Sequence, residues 1–318
     1  MKKTLIALAV LAVSGAAFAQ SSATISGSIN VGIMDTGAVG ATAGVAQLGN
    51  GSNAVNIITS EDLGGGLKGG FTSQMRFSAI TGDMNSSSGG GNALFHAANA
   101  YLSGGFGTVR IGKIAEYGHC AFDPWGCTGG AGTQAGAAST ISALVASNTQ
   151  ASSVSYATPS ISGFSAGYQT TVSARAEERT VLNIGYSAGP LALSFASADN
   201  SAASGASALT GTKSAQQSIA VGYNLSFGRV TFVNTTTDNA AGATTSDVTA
   251  WGLTVPMGAV TLLAGYAKDD KAATTADTKM AVGMNYALSK RTSLGADLFK
   301  QDGVGRSTGF VARVRHNF

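Results

Sequence analysis

Side chains able to take up a proton, bind a metal or carry a charge are sparse in this chain. It has 318 residues, of which only 3 are His and 2 are Cys, with 16 acidic and 19 basic side chains. General acid–base catalysis needs a base within hydrogen-bond reach of the proton it moves. The three candidates are His96, His119 and His316, and none stands in a telling spacing with Ser or Asp. No enzyme is expected on that ground, and no cofactor is implied. His119 beside Cys120, with Cys127 further on, raises the question of zinc. Two thiolates and one imidazole lack the fourth ligand of a structural site, so no metal is expected. A disulfide or two free thiols remain open. The Gly-rich "GGFG" (104–107) is followed by no helix pattern, so it does not read as a phosphate cradle. The remaining chemistry is charge placed at regular intervals. In the terminal "GFVARVRHNF", Arg313 and Arg315 sit at alternate positions.

That alternation belongs to a strand. Phe310, Ala312, Val314, His316 and Phe318 share one face, and Gly309, Val311, Arg313, Arg315 and Asn317 share the other. A strand running to the last residue makes sense if it closes a sheet. The same period recurs from residue 22 onward: Ile25, Ile29, Val31 and Ile33; Phe71, Met75 and Phe77; Leu191, Leu193 and Phe195; Met280, Val282, Met284 and Tyr286. The opposite face holds mostly Ser, Thr, Asn, Gly and a few charges, and rarely a large apolar group.

The first residues, "MKKTLIALAVLAVSGAAFAQ", carry a basic start, an apolar stretch and an Ala17-Phe18-Ala19 cleavage pattern. They read as a secretory signal peptide over 1–19, leaving 20–318 as the folded chain. Without Lys2 and Lys3 the acidic and basic side chains nearly balance, so charge gives no argument for nucleic acid. Charged residues make up only 11%, and there are 44 Gly and 4 Pro. Beyond the signal no apolar run is long enough for a membrane helix. Lipid admits one other spanning architecture, the closed β-barrel.

The connections agree. Short ones, such as "LGGG" (63–66), "SAGP" (187–190) and "PMGA" (256–259), alternate with longer polar stretches at 35–53, 80–92, 114–150, 199–213, 237–246, 269–277 and 301–307. Short turns on one rim and long loops on the other mark an outer-membrane barrel, here all-β and antiparallel with about sixteen strands. Tyr101, Tyr168, Tyr186, Tyr223, Tyr266, Tyr286 and Phe318 fall near strand ends and suggest interfacial girdles. Sixteen strands enclose an aqueous channel. Arginine facing lipid near the midplane costs roughly 2–4 kcal/mol. Lys68, Arg76, Arg110, Arg313 and Arg315 all lie opposite the apolar face of their strands, so they are placed in the lumen, and Asp297 takes the same parity.

Three segments carry a family resemblance. "SEDLGGGLKGGF" (60–71) resembles the turn between the second and third strands of Gram-negative general porins, especially the β-proteobacterial type. "YLSGGFGTVRIGK" (101–113) resembles their next hairpin, and "RVRHNF" their last strand. The resemblance implies passive diffusion of small hydrophilic solutes and ions through a homotrimer of sixteen-stranded barrels. It implies that Phe318 is an assembly signal read by the outer-membrane assembly machinery. Lipid bilayer and lipopolysaccharide are then the remaining partners. It also implies that 114–150 is the third loop, folded into the lumen as a constriction. Glu116 and Asp123 are its only carboxylates, facing a basic wall to which Lys113 adds. A disulfide between Cys120 and Cys127 would hold that loop's shape. Ala54, Ile58 and Phe95-His96-Ala97 stand where the family often has basic or polar groups. The expected selectivity is therefore weak, leaning to anions. A plugged structural or adhesive barrel is the alternative.

Overall fold

The structure, a computed structural model, describes residues 21–48, 53–84, 94–115, 120–126, 149–172, 179–200, 214–239, 241–271, 278–302 and 308–318. It is a single antiparallel sheet of seventeen strand segments that closes on itself. The first half contains β1 (Ser22–Asp35), β2 (Gly44–Gln47), β3 (Ala54–Gly64), β4 (Leu67–Arg76), β5 (Ala97–Gly104), β6 (Gly107–Ala115), β7 (Thr149–Ala157) and β8 (Phe164–Thr171). The second contains β9 (Arg179–Ala188), β10 (Leu191–Asn200), β11 (Ser214–Leu225), β12 (Gly228–Asp238), β13 (Thr244–Met257), β14 (Val260–Asp269), β15 (Thr278–Ala287), β16 (Thr292–Gln301) and β17 (Thr308–Asn317).

These segments make a barrel of sixteen strands, because β2 and β3 are two pieces of one. Both pair with β1, through Val31–Gln47 to Met34–Gly44 and through Ser22–Ser60 to Ser28–Ala54. At the break, the Asn30 amide donates to Asn53 Oδ1 at 2.6 Å and the Leu48 amide donates to the Asn30 carbonyl at 3.0 Å. Sequence reading put all of 35–53 in a loop, and these four strand residues were hidden in it.

Closure is made by β17 on β1, in register from Ser28–Asn317 to Asp35–Phe310. Gly27 and Phe318 exchange both backbone hydrogen bonds at 3.0 Å. The Phe318 ring lies across Gly27, where any Cβ would meet it. The last residue therefore completes the seam and leaves no unpaired edge in lipid, where unsatisfied backbone groups are costly.

Strand alternation sorts the side chains as expected. Along β17, Phe310, Ala312 and Val314 are exposed outward, while Gly309, Val311 and Arg313 are buried inward. The short connections, including Gly64–Leu67, Ala188–Leu191 and Met257–Val260, lie at the rim that holds Phe318. Gly64, Gly65 and Gly66 all take positive φ in the first of these, a conformation a Cβ would strain. Outward aromatics Phe164, Tyr186, Tyr223 and Tyr286 sit on or next to these turns, and Phe164 stacks on Tyr186 with ring centroids 4.5 Å apart. Tyr101 corrects the girdle expectation. It pairs with Gly70 and Arg110 on the inward face, and its hydroxyl donates to the Thr59 carbonyl at 3.0 Å.

The inward face departs from expectation over β11 to β17. There Ala220, Val233, Ala250, Leu263, Ala267, Ala281, Phe299 and Val311 form one buried apolar cluster with Leu48, Phe122 and Trp125. Strand parity sends these wall residues inward but says nothing of what covers them. They are covered by a piece of the chain that enters the barrel.

Candidate functional site: the lumen and its inserted segment

Residues 120–126 begin with a short 3-10 turn, Cys120–Phe122, and pack against β11 and β12 from inside. Phe122 and Trp125 bury themselves in the apolar wall. Pro124 lies over Gly252 on β13, where an added Cβ would stand 2.6 Å from Pro124 Cγ. The Arg229 guanidinium, inward on β12, sits 5.6 Å from the Phe122 ring centre, a cation–π distance. Asp123 is buried, and its Oδ1 accepts from the Trp125 backbone amide at 2.9 Å, so one carboxylate oxygen shapes the segment's own turn.

A polar latch sits within this apolar contact. Trp125 Nε1 donates to Asp297 Oδ1 on β16 at 3.0 Å. Arg313 on β17 pairs with the other oxygen of Asp297 and donates to Asn285 Oδ1 at 2.5 Å. The side chains of Arg313 and Asp297 are 5% and 0% exposed. Room for them comes from Gly283, which lies under the Asp297 carboxylate, and Gly295, which lies under the Arg313 guanidinium. Arg313 is thus inward, as parity predicts, but it is an ion-pair partner under the inserted segment. Arg315, two residues on, is half-buried and donates to Asn317 Oδ1 at 3.2 Å.

The opposite half of the wall is different in chemistry. Inward positions of β3 to β6 carry Asn56, Ile58, Thr72, Gln74, Arg76, Asn99, Tyr101 and Arg110. An amide lattice holds the cations. Gln74 Nε2 donates to Asn56 Oδ1 at 2.9 Å, and Arg76 Nε donates to Gln74 Oε1 at 2.7 Å. Thr72 Oγ1 and Arg110 both donate to Asn99 Oδ1, at 2.9 and 3.2 Å. The Arg110 guanidinium also lies 5.4 Å from the Tyr101 ring centre. Lys113 is the extra residue of the bulge between Gly112 and Ile114, and its ammonium donates to the Phe95 carbonyl at 3.2 Å. Lys68 lies by the short turn, paired in register with Asp62 and Ser103.

His96 stands just before β5 and is almost fully buried, with its Nδ1 unpartnered. Burial first, and then the charges of Arg76 and Lys113, push its pKa down from 6.5 to about 3. It is a neutral ring at neutral pH and adds no charge to the wall. Cys120 is in a disulfide. Glu116 and Cys127 lie outside the described residues, as do most of 114–150 and the whole of 1–19.

Among the described residues, three inward cations were missed from the sequence: Arg179, Arg229 and Lys279. Each adjoins an outward neighbour, as Arg229 does Val230 and Lys279 does Met280, so the same parity rule could have found them. The Trp125–Asp297 bond had no such signal, because its partners are 172 residues apart.

A closed, lipid-faced barrel with a polar, cation-bearing half-lumen and an inserted segment is a transmembrane channel of the outer-membrane type. The family model described as "Gram-negative porin" matches residues 4–305. The chain belongs to that family and is an outer-membrane porin. It is 30% identical over 323 aligned residues to the outer membrane porin protein 32 of Delftia acidovorans, covering 94% of this chain and 89% of that protein. Among solved structures it resembles an anion-selective porin from Comamonas acidovorans, with TM-score 0.70, 21% identity, and coverage of 94% of this chain and 100% of that one. OmpT of Vibrio cholerae in its trimer form gives TM-score 0.68 at 13% identity, covering 94% of this chain and 99% of that one.

Proposed function

We propose that three copies of this porin assemble into a trimer of water-filled pores that pass small hydrophilic solutes and ions, with a weak lean to anions. One observation carries the lean. The open half-wall holds Arg110, whose guanidinium, among the described residues, donates to the neutral Asn99 amide and to no carboxylate, with Arg76 donating to the Gln74 amide on the same wall. Unneutralised cations along a pore set the sign of its selectivity. On the other half, the inward cation Arg313 is paired with Asp297, so it adds little to the lean. The name of the Comamonas protein, an anion-selective porin, points the same way.

Within this reading Lys68, Arg76, Arg110, Lys113 and Arg315 line the path as its basic groups. Glu116 and Asp123 belong to the constriction loop, whose shape a Cys120–Cys127 disulfide holds. Phe318 addresses the chain to the assembly machinery, and the segment 1–19 is removed on export. Solutes move by diffusion, and no catalytic step enters. Liposomes carrying the refolded protein test this. Swelling in isotonic small sugars, at rates falling with solute size, is expected, and cross-linking should trap a three-copy band. Absence of swelling from heat-modifiable, folded protein would overturn the diffusion channel.

A further inference from the structure

We propose that a pocket on the β3–β6 wall is a binding subsite for small organic monocarboxylates that carry an apolar body. This names a solute class for the channel described above and rests on that reading. The pocket has a volume of about 250 Å³ and opens on the lumen. Arg110 forms one side. Its guanidinium makes a single hydrogen bond, to Asn99, and its other N–H groups have no partner among the described residues. Asn99 is engaged at both ends: its Oδ1 accepts from Thr72 and Arg110, and its Nδ2 donates to the Lys113 carbonyl at 3.4 Å. With the Tyr101 ring alongside, the guanidinium is held in place before any solute arrives. A planar guanidinium with free N–H groups fits a carboxylate in two parallel hydrogen bonds.

The other side of the pocket is apolar. Ile58 points inward, and 42% of it is exposed to the lumen; Ile114 lines the same space. An isoleucine presented to pore water gains by being covered. A solute with a carboxylate at one end and a ring or branched chain at the other meets both demands. Inorganic anions meet only the first. Zwitterions bring an ammonium toward Arg110, and among the described residues no carboxylate lines the pocket to receive it.

The test uses the full chain in planar bilayers, with potassium chloride current as the baseline and sodium benzoate, sodium acetate or inorganic phosphate added. Benzoate should block the current saturably, with a half-blocking concentration about tenfold below that of acetate, the worth of roughly 60 Å² of apolar surface removed from water. Ile58→Asn should bring benzoate to the level of acetate, and Arg110→Gln should abolish the block. Ile58→Ala and Arg110→Lys replace any variant that fails to fold. Equal block by benzoate and acetate would overturn the subsite, as would a benzoate advantage that survives Ile58→Asn, or phosphate blocking as tightly as benzoate. If wild-type pores conduct chloride with no saturable block, the subsite alone falls. If folded wild-type protein does not conduct at all, the channel reading falls and the subsite with it.

Discussion

Replacing Asp297 with alanine should loosen the inserted segment and destabilise the barrel by separable amounts. Asp297 accepts from Trp125 Nε1 and from Arg313, and neither carboxylate nor guanidinium has appreciable contact with solvent. Removing it leaves the Arg313 charge buried with the Asn285 carbonyl as its named remaining acceptor. Breaking a buried pair by deleting one partner costs about 3–5 kcal/mol, mostly because the orphaned charge stays desolvated. The part that falls on the inserted segment is the indole hydrogen bond to a charged acceptor, about 1.5–3 kcal/mol. At about 1.4 kcal/mol per factor of ten, the undocked population rises roughly 10- to 100-fold. Two assays separate the shares. Urea unfolding in detergent, followed by tryptophan fluorescence, reads stability, and single-channel current noise reads docking. Asp297→Ala/Arg313→Met removes the orphaned charge, so it should recover most of the stability. It still offers Trp125 no acceptor, so the noise should persist. A cost below about 1 kcal/mol for Asp297→Ala would refute the reasoning on the ion pair. A double variant as quiet as wild type would refute the reasoning on the latch.

Three further outcomes follow from the same geometry. Gly252→Val should push Pro124 off β13, since a Cβ there meets its ring at 2.6 Å, and open-channel conductance should rise. The His96 pKa is depressed in the folded state, so the unfolded chain binds the extra proton between pH 6.5 and about 3. Stability should hold above pH 6.5 and fall as the pH drops through that window, and His96→Gln should flatten this part of the urea-unfolding profile. Deleting Phe318 removes both hydrogen bonds to Gly27 and the ring over it. The folded fraction, read by heat-modifiable gel mobility, should drop sharply.

Much of this architecture was legible from a period of two. Alternation assigned the faces of β17, set Arg313, Arg315 and Asp297 inward, and required the last strand to meet the first. Alternation says which face a residue takes, however, and not what it meets there. Val311 was read on the lumen face, and only the inserted Phe122 and Trp125 explain why it is apolar. Tyr101 and Leu102 are both large and adjacent, so the sequence could not choose which faces lipid; Leu102 does, and Tyr101 stacks with Arg110. The break between β2 and β3 rests on side-chain bonding by Asn53, which no periodicity records. Charge reads in the same way. Parity counts Arg313 and Arg110 alike, but one is paired under the inserted segment and the other faces the open lumen.

The reversal potential of single channels in a potassium chloride gradient tests the central claim most directly. A small potential of the anion-favouring sign is expected, moving toward zero in Arg76→Gln/Arg110→Gln. A cation-favouring potential in the wild type, or one unmoved by that double substitution, would contradict the assignment of the β3–β6 cations as the groups that set the sign of the pore.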